Sequence, residues 1–352
     1  MQRKLLAAAV ASSFAMPAFA QVPPELKIYG RVNVTMERIE TDNSRDPAVP
    51  NQSNYEFVDN SSRIGFLYNK ELTPGLKAIF QIESRVNLTD GGDVFSSRDS
   101  FAGLQGGFGT IRLGRTIGPV YYATYDYISM HNHDTGTSSD ALLAGTVVGN
   151  AGFMDNTLWY TSPKIGNFTI DAAFSLLGEQ RQAPGMDQPR HIGLVGAYDT
   201  GPLHAAISYA NTKNDADLGG GVASDATAYT IGGAYDFKFM VLGALWEMAE
   251  RDVSGGGSVD SDYWRISAMF PVGQHEFHLN YGLVDADGDQ GAQQYTLGYN
   301  YNITKLTKVY AFYTMVDNDN NGNFLMGGST TTIGAATGAQ YTSIAVGLRH
   351  NF

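Results

Sequence analysis

Leu26-Lys27-Ile28-Tyr29-Gly30-Arg31-Val32-Asn33-Val34-Thr35-Met36-Glu37 alternates between two chemistries at a period of two. Ile28, Gly30, Val32, Val34 and Met36 fall on one side, and Tyr29, Arg31, Asn33, Thr35 and Glu37 on the other. Successive side chains of a β-strand point to opposite faces, so this stretch reads as a strand with one greasy and one polar face. The pattern recurs. Tyr295, Leu297, Tyr299, Tyr301 and Ile303 oppose Thr296, Gly298, Asn300 and Asn302. Phe277, Leu279, Tyr281 and Leu283 oppose His278, Asn280 and Gly282, and Phe168, Ile170, Ala172, Phe174 and Leu176 oppose Thr169, Asp171 and Ser175. About ten residues is also the length a tilted strand needs to cross a bilayer.

Short and long connections take turns along the chain. Tight turns stand at Leu72-Thr73-Pro74-Gly75, Gly106-Gly107-Phe108-Gly109, Pro163-Lys164-Ile165-Gly166, Asp199-Thr200-Gly201-Pro202, Pro271-Val272-Gly273 and Asn302-Ile303-Thr304-Lys305. Longer polar stretches run over 40–60, 116–152, 178–190, 214–225, 250–261 and 317–339. This asymmetry is that of an antiparallel barrel in an outer membrane, with short turns inside and long loops outside. Counting in this way predicts about 16 strands. A soluble β-sandwich would also alternate, but it does not explain the number of strands, the loop asymmetry or the Tyr and Phe clusters near strand ends. In lipid the sheet must close, because each unsatisfied backbone group at an open edge costs several kcal/mol.

The first twenty residues stand apart. Arg3 and Lys4 precede an apolar run over 5–14, and Ala18-Phe19-Ala20 is a small-residue cleavage signal. That order predicts a signal peptide over 1–20, removed on export, followed by one barrel domain over 21–352. The apolar run is too short to span a bilayer as a helix. The chain has no cysteine, so disulfides cannot hold it together outside the cell. A net charge of -12, with no basic stripe, argues against nucleic acid as a partner. Tyrosine (20) and phenylalanine (18) are too abundant for low-complexity disorder.

The last strand, 340–352, places Ile344, Val346, Leu348 and the terminal Phe352 on one face, interrupted by His350. An aromatic residue ending an amphipathic strand is similar to the recognition segment of outer-membrane barrels. Further motifs carry a wider likeness: Ile28-Tyr29-Gly30-Arg31, Ser62-Arg63-Ile64-Gly65-Phe66 and Leu76-Lys77-Ala78-Ile79-Phe80-Gln81-Ile82-Glu83, then Arg98-Asp99-Ser100-Phe101-Ala102-Gly103-Leu104 and Phe108-Gly109-Thr110-Ile111-Arg112-Leu113-Gly114-Arg115. In this order and at this spacing the chain resembles the general trimeric porins of Gram-negative bacteria, from the leader to Phe352. The resemblance implies an all-β, 16-stranded antiparallel transmembrane barrel with short periplasmic turns and long extracellular loops, its third loop folded into the pore. It also implies a homotrimer among outer-membrane lipid and lipopolysaccharide, passing ions and small hydrophilic solutes by passive diffusion.

Parity says which charges face the channel. Arg31 alternates with the greasy side of the first strand, Arg63 alternates with Ile64 and Phe66, and Arg98 falls away from Phe101. Glu83 shares its side with Lys77, Gln81 and Arg85. An arginine facing lipid costs about 2–4 kcal/mol at the midplane, so these side chains are expected to face water inside. By resemblance, Arg31, Arg63 and Arg98 match a basic ladder and Glu83 an acid beside it, with Arg115 as an addition. The family places loop acids opposite the ladder, and the two charged sides set up a transverse field. Here the matching loop positions hold Ile128 and Asn132, while Asp126, Asp134 and Asp140 lie out of register. Phe153 stands near the place of a third ladder arginine. A shortage of opposed acids predicts a net positive constriction and an anion preference, which Asp126 or Asp134 would offset if the loop is shifted.

No cofactor is expected. His131-Asn132-His133-Asp134 is too small for a metal site, and the Asp- and Gly-rich stretches at 89–93 and 285–289 lack full calcium-loop spacing. The alternatives on the same scaffold are a substrate-specific porin and a barrel-type outer-membrane hydrolase. None of the seven histidines has a recognisable nucleophile motif beside it, so no enzyme is expected.

Overall fold

A computed structural model describes residues 25–92, 95–129, 142, 152–177, 189–215, 224–252, 257–325 and 334–352. The leader expected over 1–20, with its boundary at 21, lies outside the described residues, as do Asn132, Asp134, Asp140 and the His131–Asp134 stretch. Seventeen strand segments follow one another in the chain: β1 (Leu26–Asp42), β2 (Gln52–Asp59), β3 (Arg63–Thr73), β4 (Leu76–Arg85), β5 (Ser100–Gly106), β6 (Gly109–Thr116), β7 (Met154–Thr161), β8 (Phe168–Leu176) and β9 (Arg190–Thr200), then β10 (Leu203–Asp215), β11 (Ser224–Asp236), β12 (Val241–Asp252), β13 (Ser258–Val272), β14 (His275–Ala286), β15 (Ala292–Asn302), β16 (Thr307–Asn318) and β17 (Gln340–Asn351).

Each stave pairs antiparallel with the next, and β17 pairs with β1, so the sheet closes on itself. Gly30 N donates to Phe352 O at 2.9 Å and Phe352 N to Gly30 O at 3.0 Å, carrying the closure to the last residue. Both β2 and β3 lie against β1, as the upper and lower halves of one stave. The barrel therefore has 16 staves, as expected. Between the halves, Asn60, Ser61 and Ser62 face two residues of β1, Val32 and Asn33, because the register steps from Val34↔Asp59 to Arg31↔Arg63. Ser61 takes up the extra residue with φ 62°, and Ser62 Oγ and the Asn60 carbonyl bind Asn33 in place of the missing ladder bonds. Bulges of this kind re-aim the side chain that follows, which here is Arg63.

The alternation read from the sequence is realised as two surfaces. Ile207 (62% exposed), Val346 (59%) and Leu297 (54%) stand on the outer face, while Asn33, Thr35 and Glu37 are buried inside. Outward apolar and inward polar residues suit lipid on one side and water on the other. Among the described residues no helix is long and apolar enough to cross a membrane. One stretch departs from expectation. Residues 40–60, read as a polar loop, contain β2 and the top of β1, paired from Val34↔Asp59 to Thr41↔Gln52. Tyr55 and Phe57 alternate outward there, but the intervening polar residues hid a strand of 8 residues.

Between β6 and β7 the chain turns inward as two short helices, α1 (Pro119–Ala123) and α2 (Tyr125–Ser129). Gly118, at φ 92°, makes the entry turn, and Pro119 opens α1 where its missing N–H costs nothing. The helices pack on β8 to β13 inside the barrel. Val120, Tyr121, Tyr125 and Ile128 bury against Val195, Ala197, Ala228, Leu245 and Tyr263. That inner wall is lined with small apolar residues because the loop is seated on it.

Candidate functional site

Opposite the seated loop lies a wall of cations. Arg31 on β1 stands directly across from Arg63 on β3. Like charges in that position repel by roughly 1–3 kcal/mol, depending on how much water screens them. Glu83 on β4 offsets the repulsion. Its side chain is almost wholly buried, and it accepts from Arg98 Nε at 2.5 Å and from Tyr29 Oη at 2.8 Å, with Arg63 Nη1 at 3.6 Å. Removing any one partner leaves two others on the carboxylate, so the cluster is held by a network rather than by a single pair.

Local structure sets these positions. Arg98 precedes β5, but its backbone continues the β4–β5 ladder: Arg98 N donates to Glu83 O and Glu83 N to Asp99 O. This places the Arg98 guanidinium beside the carboxylate of its own ladder partner. Gly65 sits under the Tyr29 ring; a Cβ there would come within 2.3 Å of Tyr29 Cζ, so glycine is what lets the ring lie flat and reach Glu83. Arg31 is steadied by Asn351 Oδ1 at 3.0 Å, and Arg63 by the Ser61 carbonyl at 3.1 Å.

Arg115 stands one step away. Its Nη1 is 2.5 Å from Asp155 Oδ1, its Nε donates to the Ser97 carbonyl, and its guanidinium lies 5.3 Å from the centre of the Phe153 ring. Arg98 lies 5.2 Å from the same ring. Phe153 thus links Arg115 to the Glu83 cluster through two cation–π contacts, and no ion pair between them is needed.

Two cations escaped the reading of the sequence. Arg349 on β17 pairs with Asn33 and lies diagonal to Arg31; Lys308 on β16 lies directly across from Arg349. Both belong to the inward parity of their strands, with Ser343 and Ala345 on one and Tyr310 and Phe312 on the other. Applying the alternation rule to the last two strands would have found them. Arg31, Arg63, Arg98 and Arg349 act on one another through their charges, and Lys308 feels Arg349 and Arg31. The basic run therefore bridges the barrel's closure seam.

Asp126, on α2, faces this run. Burial raises its carboxyl above the ordinary carboxylate range, while Arg31, Arg63 and Arg349 pull it the other way. Ile128, at the position where an acid was looked for, is fully buried between loop and wall. On the other flank Tyr122 of α1 donates to Asp99, and burial with that carboxylate raises the phenol far above its usual value. The arrangement sets several guanidinium groups on one side and a loop carboxylate on the other. It can sort solutes by charge; among the described residues no His, Cys, Asp and Glu group is placed to hold a metal ion.

Comparisons with known proteins agree with this geometry. The family described as Gram-negative porin matches residues 6–321. Outer membrane porin protein 32 of Delftia acidovorans is 30% identical over the whole of both chains. The solved anion-selective porin from Comamonas acidovorans superposes with a TM-score of 0.79 at 28% identity, covering 93% of this chain and 99% of that one. The trimer form of OmpT from Vibrio cholerae shares the fold at a TM-score of 0.68 and 17% identity, again over 93% of this chain and 99% of that one.

Proposed function

This chain belongs to the family of Gram-negative porins, an outer-membrane β-barrel for passive diffusion and not an enzyme, and from that premise we propose that its constriction prefers anions. One observation carries the reading. Arg31, Arg63, Arg98 and Arg349 line one wall, and Asp126 is the α1–α2 acid that faces them. Glu83 sits among the arginines rather than across from them, so it ties the wall together without matching its charge. A cation entering the gap meets the like-charged wall; an anion is drawn towards it. The anion-selective relative from Comamonas acidovorans supports the same preference.

The pore-lining roles of Arg31, Arg63, Glu83, Arg98, Arg115 and Asp126 belong to this proposal, as do Arg349 and Lys308. So do a leader over 1–20, assembly as a homotrimer and contact with lipopolysaccharide. The trimeric neighbour supports the assembly. The test is a zero-current potential across a planar bilayer under a KCl gradient. Anion preference gives a potential that favours chloride; a potential that favours potassium rejects the reading. Closures in groups of three in single-channel records check the trimer.

A further inference from the structure

The α1–α2 loop carrying Asp126 is clasped by a histidine on the opposite wall from the arginines. His204 of β10 is 7% exposed. Its Nδ1 lies 2.7 Å from Asp199 Oδ1, and its Nε2 lies 2.7 Å from the carbonyl oxygen of Ala123, the last residue of α1. Its ring lies flat on Tyr127 of α2, with centroids 3.4 Å apart and planes within 3°. One side chain therefore holds the end of one helix and the residue next to Asp126 in the other.

The two oxygens restrict the state of the ring. Neutral imidazole carries a single N–H, and neither a carboxylate nor a carbonyl can donate. Serving both at 2.7 Å requires the imidazolium. In the neutral ring a lone pair faces one of the oxygens at a distance where only a hydrogen bond is stable. We infer that His204 is a positioning residue for the constriction: as the imidazolium it fixes Ala123 and Tyr127, and so sets where the Asp126 carboxylate stands against the arginines. The inference rests on the charge-sorting role proposed above. The charged and titratable neighbours are Asp199 from β9 and Asp126 and Tyr127 from α2; the β11 residue directly across is Ala234, and α1 contributes the Ala123 carbonyl. Burial, with Asp199 and Asp126, holds the Tyr127 phenol above its usual range, so it stays neutral.

Loss of the His204 ring releases the clasp and lets Asp126 leave its place opposite the guanidinium groups, so the anion preference rises. One unit charge withdrawn by about 10 Å in water changes a permeability ratio roughly twofold. The experiment records zero-current potentials of the reconstituted protein under a KCl gradient at neutral pH. In Asp199→Asn the amide can donate to a neutral ring, which leaves Nε2–H for Ala123, so the potential should stay at the wild-type value. Adding His204→Phe to Asp199→Asn keeps the stack on Tyr127, removes the clasp and leaves the net charge as it was, so the chloride preference should rise roughly twofold. In an Asp126→Asn background the same pair of substitutions should change nothing. A rise in Asp199→Asn alone overturns the inference, as does a double variant that keeps the wild-type potential. If Arg63→Ala shifts selectivity and the double variant does not, the constriction stands and the histidine's role falls.

Discussion

Glu83 and Asp126 are both carboxylates near arginine, and their surroundings give them different work. Glu83 is wrapped by Arg98, Arg63 and Tyr29 and spends its charge within the wall. Asp126 stands on α2, where its charge acts on Arg31, Arg63 and Arg349 from the loop. Arg63→Ala and Arg98→Ala each remove one wall charge and leave two partners on Glu83, so the barrel should still fold. Zero-current potentials should move towards cations by roughly twofold for one charge about 10 Å from the path. Unchanged potentials in both variants would take these residues out of the constriction. Asp126 also gives an acid-side pH dependence. Its raised titration means that it loses charge at a pH above that of a surface aspartate, leaving the wall less opposed. Anion preference should therefore rise as pH falls from neutral through the acid range, and Asp126→Asn should hold the acid-pH value at neutral pH. Parallel profiles for wild type and variant would refute this.

Among the elements, the closure seam and the inward loop show what pattern reading captures. Ile344, Val346, Leu348 and Phe352 are outward, as the alternation of β17 requires, and His350 on the same side meets Thr307 Oγ1 at 2.9 Å. The Phe352 ring lies over Gly30, where a Cβ would come within 2.3 Å of Cζ. Gly30→Leu should displace that ring and loosen the seam, at a cost of about 1–3 kcal/mol as for other overpacked sites. A lower temperature for conversion from folded to unfolded mobility in detergent electrophoresis would report it; an unchanged temperature would exclude the ring contact as a source of stability. The greasy-outside rule read the strands well because lipid acts on every stave alike. It was silent on β9 to β12, whose inner faces carry Val195, Ala197, Ala206, Ala228 and Leu245 in place of polar residues. These are explained by the loop seated on them, a contact far away in the sequence.

For the whole molecule, a water-filled bore should conduct in proportion to bulk salt. Single-channel conductance rising linearly with KCl is the expected result, whereas saturation at low concentration would favour a substrate-specific channel. The motif resemblance implied the barrel and its 16 staves, both of which the structure shows, and it picked out Arg31, Arg63, Glu83 and Arg98, whose place in a constriction belongs to the proposal. The family pattern put the opposing acids at Ile128 and Asn132 and offered Asp126 only if the loop is shifted, and it is Asp126 whose charge meets Arg31, Arg63 and Arg349.

The amino-acid order alone determined the class of fold, its count of staves and the side to which each strand residue points. It could do so because a period of two is a local property, enforced at each position by lipid on one face and water on the other. The tertiary structure decided which charges meet. Arg349 reaches Arg31 across the seam between the last and first strands, Asp126 reaches both from a loop seated on the far wall, and His204 clasps that loop from β10. Such meetings depend on ring closure and on how a loop packs, and neither leaves a periodic trace along the chain.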